Sequence, residues 1–142
     1  MIEREIRELL QRIAIQTRKN YSSELRKLNL HIGQELALHY LWKEDGITQA
    51  TLRHKIGSEA STVSNMIRKL EEDGIVYREK SSEDNRATNI FLTEKGKALQ
   101  KPIEQMWRDH EQKLLNNLAD EELLLLRRLL MQMDYNLHQD KT

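Results

Sequence analysis

The stretch Gly74-Ile75-Val76-Tyr77-Arg78-Glu79-Lys80-Ser81-Ser82-Glu83-Asp84-Asn85-Arg86-Ala87-Thr88-Asn89-Ile90-Phe91-Leu92-Thr93-Glu94-Lys95-Gly96 decides how the rest of the chain is read. Two short runs of strand-forming character, residues 76–80 and 87–92, flank a polar tip that carries Asp84 and Arg86. A helical pattern ends at Gly74, and another starts at Thr93, whose hydroxyl suits a helix N-cap. The stretch therefore reads as a hairpin set between two helices, with an arginine at its tip.

Working back from the hairpin, residues 59–73 read as a helix with Val63, Ile67 and Leu70 on one side and Ser58 as its cap. Gly57 makes a turn, and before it residues 49–56 form a short helix capped by Thr48, with Leu52 and Ile56 inward. Thr51 stands where an acidic capping-box partner would strengthen that cap. Asp45-Gly46 closes an earlier helix over residues 32–44 whose inward side is Ala37, Leu38, Leu41 and Trp42. Residues 2–27 form a first long helix, with Ile2, Ile6, Leu9, Ile13, Thr17 and Tyr21 at three- and four-residue steps. Working forward, a fifth helix covers residues 94–116, and Pro102 predicts a kink or break near Leu99. A sixth, capped by Asp120, covers residues 121–139 and carries Leu123, Leu126, Leu130, Met133 and Leu137 as one stripe, widened by Leu124, Leu125 and Leu129. The expected fold is mainly α with a small β-hairpin wing: a winged helix-turn-helix over residues 32–92, within a single domain 1–142, and a helical dimerisation region of residues 1–31 and 93–142.

In such a fold the second helix of the helix-turn-helix enters the major groove of double-stranded DNA. The inward stripe leaves Ser61, Thr62, Ser64, Asn65 and Arg68 facing out. Hydroxyls bond bases or phosphates, asparagine pairs with adenine, and arginine forks onto guanine or phosphate. Arg53, His54 and Lys55 on the preceding helix are candidates for backbone contacts, as are Arg78 and Lys80 on the hairpin. Arg86 is the candidate for minor-groove insertion, with Asp84 placed to steady its guanidinium. Each residue taken singly also has an ordinary role as a cap or a solvated side chain.

Composition bounds the alternatives. The chain has 142 residues, 23 Lys/Arg against 23 Asp/Glu, one proline and no cysteine. Disulfides, thiolate metal sites and thiol redox chemistry are thereby excluded. Zero net charge does not advertise a nucleic-acid partner. Residues 1–30 hold seven Lys/Arg against four Asp/Glu, and residues 53–86 hold seven of each, so affinity for DNA would depend on where the cations point. No apolar run is long enough to span a bilayer, and residues 1–12 are too charged for a signal peptide, so a mature cytoplasmic chain is expected. None of His31, His39, His54, His110 and His138 lies three to five residues from another, so helical metal-ligand spacing is absent. With no Gly-rich phosphate loop, no nucleophile elbow and no cysteine nucleophile, neither an enzyme nor a cofactor is expected.

The residues Gly33-Gln34, Leu41-Trp42, Gly46-Ile47-Thr48-Gln49, Leu52, Ile56-Gly57, Ser61-Thr62-Val63-Ser64, Leu70-Glu71-Glu72-Asp73-Gly74, Asp84-Asn85-Arg86 and Leu92-Thr93-Glu94-Lys95-Gly96 give the chain a resemblance to the multiple-antibiotic-resistance regulator (MarR) family of bacterial winged-helix repressors. The resemblance runs over nearly the whole chain; Glu35 departs from it, at a place often apolar in the family. It implies an obligate homodimer, an inverted-repeat operator, repression relieved by a small-molecule effector or chemical signal, and an Asp-x-Arg wing motif at Asp84 and Arg86. It also implies an effector cleft between the dimer helices and the DNA-binding lobe, for which Arg18, Tyr21, His39, Trp42, Met106 and Trp107 are candidates. Each of those six has an ordinary core or surface role as well. A winged helix that binds protein rather than DNA stays open as the alternative.

Overall fold

The computed structural model describes residues 1–83 and 86–139. In chain order the elements are α1 (Ile2–Lys27), α2 (Gln34–Lys43), α3 (Gln49–Ile56), α4 (Ala60–Glu72), β1 (Val76–Lys80), β2 (Thr88–Leu92), α5 (Glu94–Ala98), α6 (Gln100–Leu114) and α7 (Asp120–His138). The fold is the expected one, helices around a two-stranded antiparallel hairpin. The fifth helix breaks at Leu99 into α5 and α6, which puts Pro102 in the first turn of α6, where its missing N–H costs nothing.

Local chemistry fixes most boundaries. Thr48 Oγ1 accepts the Thr51 N–H at 3.1 Å, and the two hydroxyls bond each other at 2.8 Å, so Thr51 joins the cap in its own way. Gly57 ends α3 with a φ of 75°, the left-handed conformation that glycine adopts without a side-chain clash. Thr93 Oγ1 accepts the Gly96 N–H at 3.2 Å to start α5, and its own O–H points at the Gly74 carbonyl, 2.6 Å away.

Three expected starts are corrected. α2 begins at Gln34 rather than residue 32, because Gly33 has a φ of 98° and the Gln34 side chain accepts the His31 N–H at 2.8 Å. Ser58 does not cap α4: the N-cap position is Glu59, whose side chain makes no capping bond. Nor does Asp120 cap α7: the helix starts at Asp120 itself, and Glu122 reaches back to accept the Ala119 N–H at 2.9 Å.

By contacts the chain divides into two units, Met1–Trp107 and Arg108–Thr142. The first holds the core. Leu25 of α1 and Leu30 after it, Leu38 and Leu41 of α2, Leu52 of α3, Val63, Ile67 and Leu70 of α4, Ile75 and Ile90 of the hairpin, and Ile103 of α6 are all buried. Glu35 is buried as well, and its carboxylate accepts the Gly33 N–H at 2.9 Å, which explains how a charged residue sits at an otherwise apolar place. The first sixteen residues are all exposed, including Ile2, Ile6, Leu9 and Ile13 of the expected stripe. In the second unit no residue of α7 is buried; Leu123, Leu126 and Met133 are half-covered, while Leu130 and Leu137 are exposed.

The hairpin pairs Val76 with Leu92, Arg78 with Ile90 and Lys80 with Thr88. The loop before α3 joins it: the Gly46 N–H donates to Ile90 O at 2.8 Å and the Ile90 N–H donates to Ile47 O at 2.9 Å. The base of the wing is thereby tied to the helix-turn-helix.

Candidate nucleic-acid interface

Burial of Val63, Ile67 and Leu70 fixes the rotation of α4, since these residues sit three and four apart on one face. Ser61, Thr62, Ser64, Asn65 and Arg68 are consequently exposed, as the pattern predicts. Arg68 is held loosely along the helix, its guanidinium 3.4 Å from Asn65 Oδ1 and 3.5 Å from a Glu72 carboxylate oxygen. Both contacts are exposed, so they orient the side chain without committing it.

Beside α4 lies a concave cleft of about 550 Å³. Its walls are the start of α3 (Thr48, Gln49, Ala50, Arg53), the first half of α4 (Ala60, Val63, Ser64) and the hairpin (Arg78, Arg86, Ala87, Thr88). Three arginines, one from α3 and two from the hairpin, thus converge on one hollow. The other candidates are placed differently. His54 and Lys80 are exposed and are not among the lining residues. Lys55 turns toward α2, its ammonium 5.9 Å above the Tyr40 ring. Asp84 lies outside the described residues.

Arg78 was expected to reach a phosphate, but the fold gives it a partner. Its Nη2 and Nε both donate to one oxygen of Glu71, at 2.9 and 3.3 Å. That bond, and then the nearby guanidinium charge, holds the Glu71 carboxyl below the usual carboxylate range. Glu71 escaped the sequence reading as a functional residue. The signal for it is a carboxylate one turn before the helix stop and a cation on the same side of the strand that follows.

The six effector candidates are only partly brought together. His39 packs edge-on against Trp107 with ring centroids 5.4 Å apart, and Trp42 meets Trp107 at 6.4 Å. Met106 belongs to the core, Tyr21 is half-buried against it, and Arg18 is exposed. Burial, and then the Lys43 charge, pushes the His39 imidazole below its ordinary range, against the pull of Glu104. A separate cleft of about 670 Å³ lies between the end of α1 and the end of α4, lined by Arg26, His31, Lys69, Ile75 and Lys95 among others, and by none of the six. Among the described residues no helix is long and apolar enough to cross a membrane, and no group of three or more His, Asp or Glu is placed to hold a metal ion.

Comparisons with known proteins bear on this face. Residues 30–88 match the MarR family model. The organic hydroperoxide resistance transcriptional regulator of Bacillus subtilis (strain 168) is 35% identical over 81 residues, 57% of this chain and 55% of the relative. The match thus spans little more than half the length of that curated relative. The structure also resembles that of the transcriptional regulator SlyA, with a TM-score of 0.88 and 28% identity over 95% of each chain. It is similar, too, to MepR from S. aureus, solved as a DNA complex, with a TM-score of 0.82 and 27% identity over 92% of this chain and 94% of that one.

Proposed function

We propose that the chain is a member of the MarR family, whose model its residues 30–88 match, and a homodimeric, sequence-specific DNA-binding regulator of transcription, acting as a repressor in the cytoplasm. The observation that carries this reading is the convergence of Arg53 and Arg86 on one cleft beside a helix face of Ser61, Thr62, Ser64, Asn65 and Arg68. In a chain of zero net charge, that is a local concentration of cations where a sugar-phosphate backbone would pass. α4 would lie in the major groove and Arg86 would reach the minor groove beside it.

The second copy follows from the apolar surface left open. Ile2, Ile6 and Leu9 of α1 and Leu124, Leu125 and Leu137 of α7 are each more than 45% exposed. A monomeric soluble protein seldom leaves so much large apolar surface open. A two-fold interface built from residues 1–31 and 93–142 would cover it and would set two copies of α4 about one DNA turn, roughly 34 Å, apart. A small organic effector bound near His39, Trp42 and Trp107 would act by altering that spacing.

The reading is tested by selecting bound duplexes from a random pool. Recovery of an inverted repeat with half-site centres about ten base pairs apart supports DNA reading and the dimer together. Failure to enrich any sequence, from folded dimeric protein, would favour a winged helix that docks on another protein.

A further inference from the structure

Of the three arginines lining the cleft beside α4, Arg78 is the one whose guanidinium is bonded twice to a carboxylate of α4 itself. Two donors meeting one oxygen hold the guanidinium edge toward Glu71 as well as fixing its distance. The pair also sits at a particular place on the wing. The inner end of the hairpin is anchored by the core: Val76 and Leu92 are buried, and the Ile75 N–H donates to Leu70 O at 2.9 Å. Beyond Val76, residues Tyr77, Glu79 and Lys80 are exposed, and Arg78 alone of the rest of β1 is half-buried. On the β2 side the hairpin is held at this level by Ile90 and, one residue further out, by Asn89, which bond the Gly46–Ile47 loop; on the β1 side the Arg78 side chain ties it to α4. Arg86 lies four residues from Ile90, the register partner of Arg78, at most roughly 13 Å at strand rise, so a tilt of about 15° at that level moves it by roughly 3 Å. Hydrogen bonds tolerate a few tenths of an ångström.

The geometry points to Glu71 and Arg78 as positioning residues: their pair sets the pitch of the wing against α4, so that Arg86 and the exposed face of α4 meet the same duplex. This rests on the DNA-binding reading for its purpose but not for its geometry. Arg53 is then the cleft's cation toward phosphate, Arg86 is carried toward the minor groove, and Arg78 stays on Glu71 when DNA binds.

Glu71→Gln separates this from the competing role, in which Arg78 leaves Glu71 for a phosphate. Removing an acidic group near the DNA face raises the positive charge there, and if Arg78 were a phosphate ligand held back by Glu71 the variant would bind selected DNA more tightly. A positioning role gives the opposite sign: binding weakens by about threefold to fivefold while the slope of affinity against salt stays unchanged. Amide hydrogen exchange on DNA-free protein supplies an independent arm. Exchange across β1 should accelerate in Glu71→Gln and in Arg78→Gln, and should return toward the parent rate in the charge-swapped double variant Glu71→Arg/Arg78→Glu. Tighter or unchanged binding by Glu71→Gln, or a salt slope lowered by about 0.9 in Arg78→Gln, would overturn the proposal. Should the parent protein bind no DNA, the functional reading fails, and the exchange arm still decides: unaltered exchange in both single variants disproves the link.

Discussion

The indole N–H of Trp42 donates to the carbonyl of Gly96 at 3.1 Å, joining α2 to α5 across fifty-four residues of sequence. The bond depends on close approach of the α5 backbone. A Cβ at Gly96 would run into the Ile75 carbonyl and crowd Leu92 Cδ2 at 3.0 Å. Backbone cannot give way as the end of a flexible side chain can. Gly96→Ala is expected to destabilise the protein by about 1–3 kcal/mol, read as a lowered midpoint in thermal or urea denaturation. An unchanged midpoint would mean that α5 can slide away from the hairpin.

Arg86 lines the cleft from the side of the wing tip and is exposed. Arg86→Ala should weaken operator binding by about 1–3 kcal/mol in a titration at fixed salt, with dimerisation and the thermal midpoint preserved. Equal affinity of the two proteins would remove Arg86 from the interface.

On α7, Leu126 and Leu130 line an apolar hollow of about 540 Å³ with Leu115, Leu123 and Met131. Replacing Leu126 or Leu130 with arginine would leave a charge unpaired in the proposed interface, and the expected result is a monomer by light scattering that no longer binds DNA. A variant that stays dimeric would assign the stripe to another role.

Burial raises the Glu35 carboxyl above its ordinary value of 4.5, and the Gly33 N–H and the Arg18 charge offset this only partly. A carboxyl whose folded value is raised favours the folded state most when protonated. Its contribution is full below about pH 4.5 and is lost as pH rises through the higher folded value. Glu35→Gln, which stays neutral and can still accept a hydrogen bond, should therefore gain stability over the parent as pH rises from 4 to 7. Thermal midpoints that run parallel over that range would show that the carboxylate is fully compensated where it lies.

How much of this was legible beforehand varied with the range of the interaction. The stripe Val63, Ile67, Leu70 gave the rotation of α4, and with it the exposed Ser61, Thr62, Ser64, Asn65 and Arg68, because helical periodicity is written into consecutive residues. Pro102 announced the break at Leu99 for the same reason. Caps were less secure: Ser58 and Asp120 are good capping residues, but the backbone starts each helix one position away from where they would act. The bond from Arg78 to Glu71 was missed because the carboxylate before Gly74 and the cation after it meet only if the strand returns along the helix, which their spacing permits but does not require. Burial of Glu35 was equally unreadable, since a charged residue reveals its burial only through its surroundings.

The bare stretch of α1 has a consequence for how much of this protein a cell can keep. Its 26 residues span about 39 Å at helical rise, yet Leu25, near the far end, is the one residue the core covers fully. A helix with so little packing is marginal in water. On the dimeric reading, an unpaired chain would leave this segment fraying and open to proteolysis, while a paired chain would protect it. Turnover would then fall hardest on single chains, and the pool of regulator would be trimmed toward the form that can act.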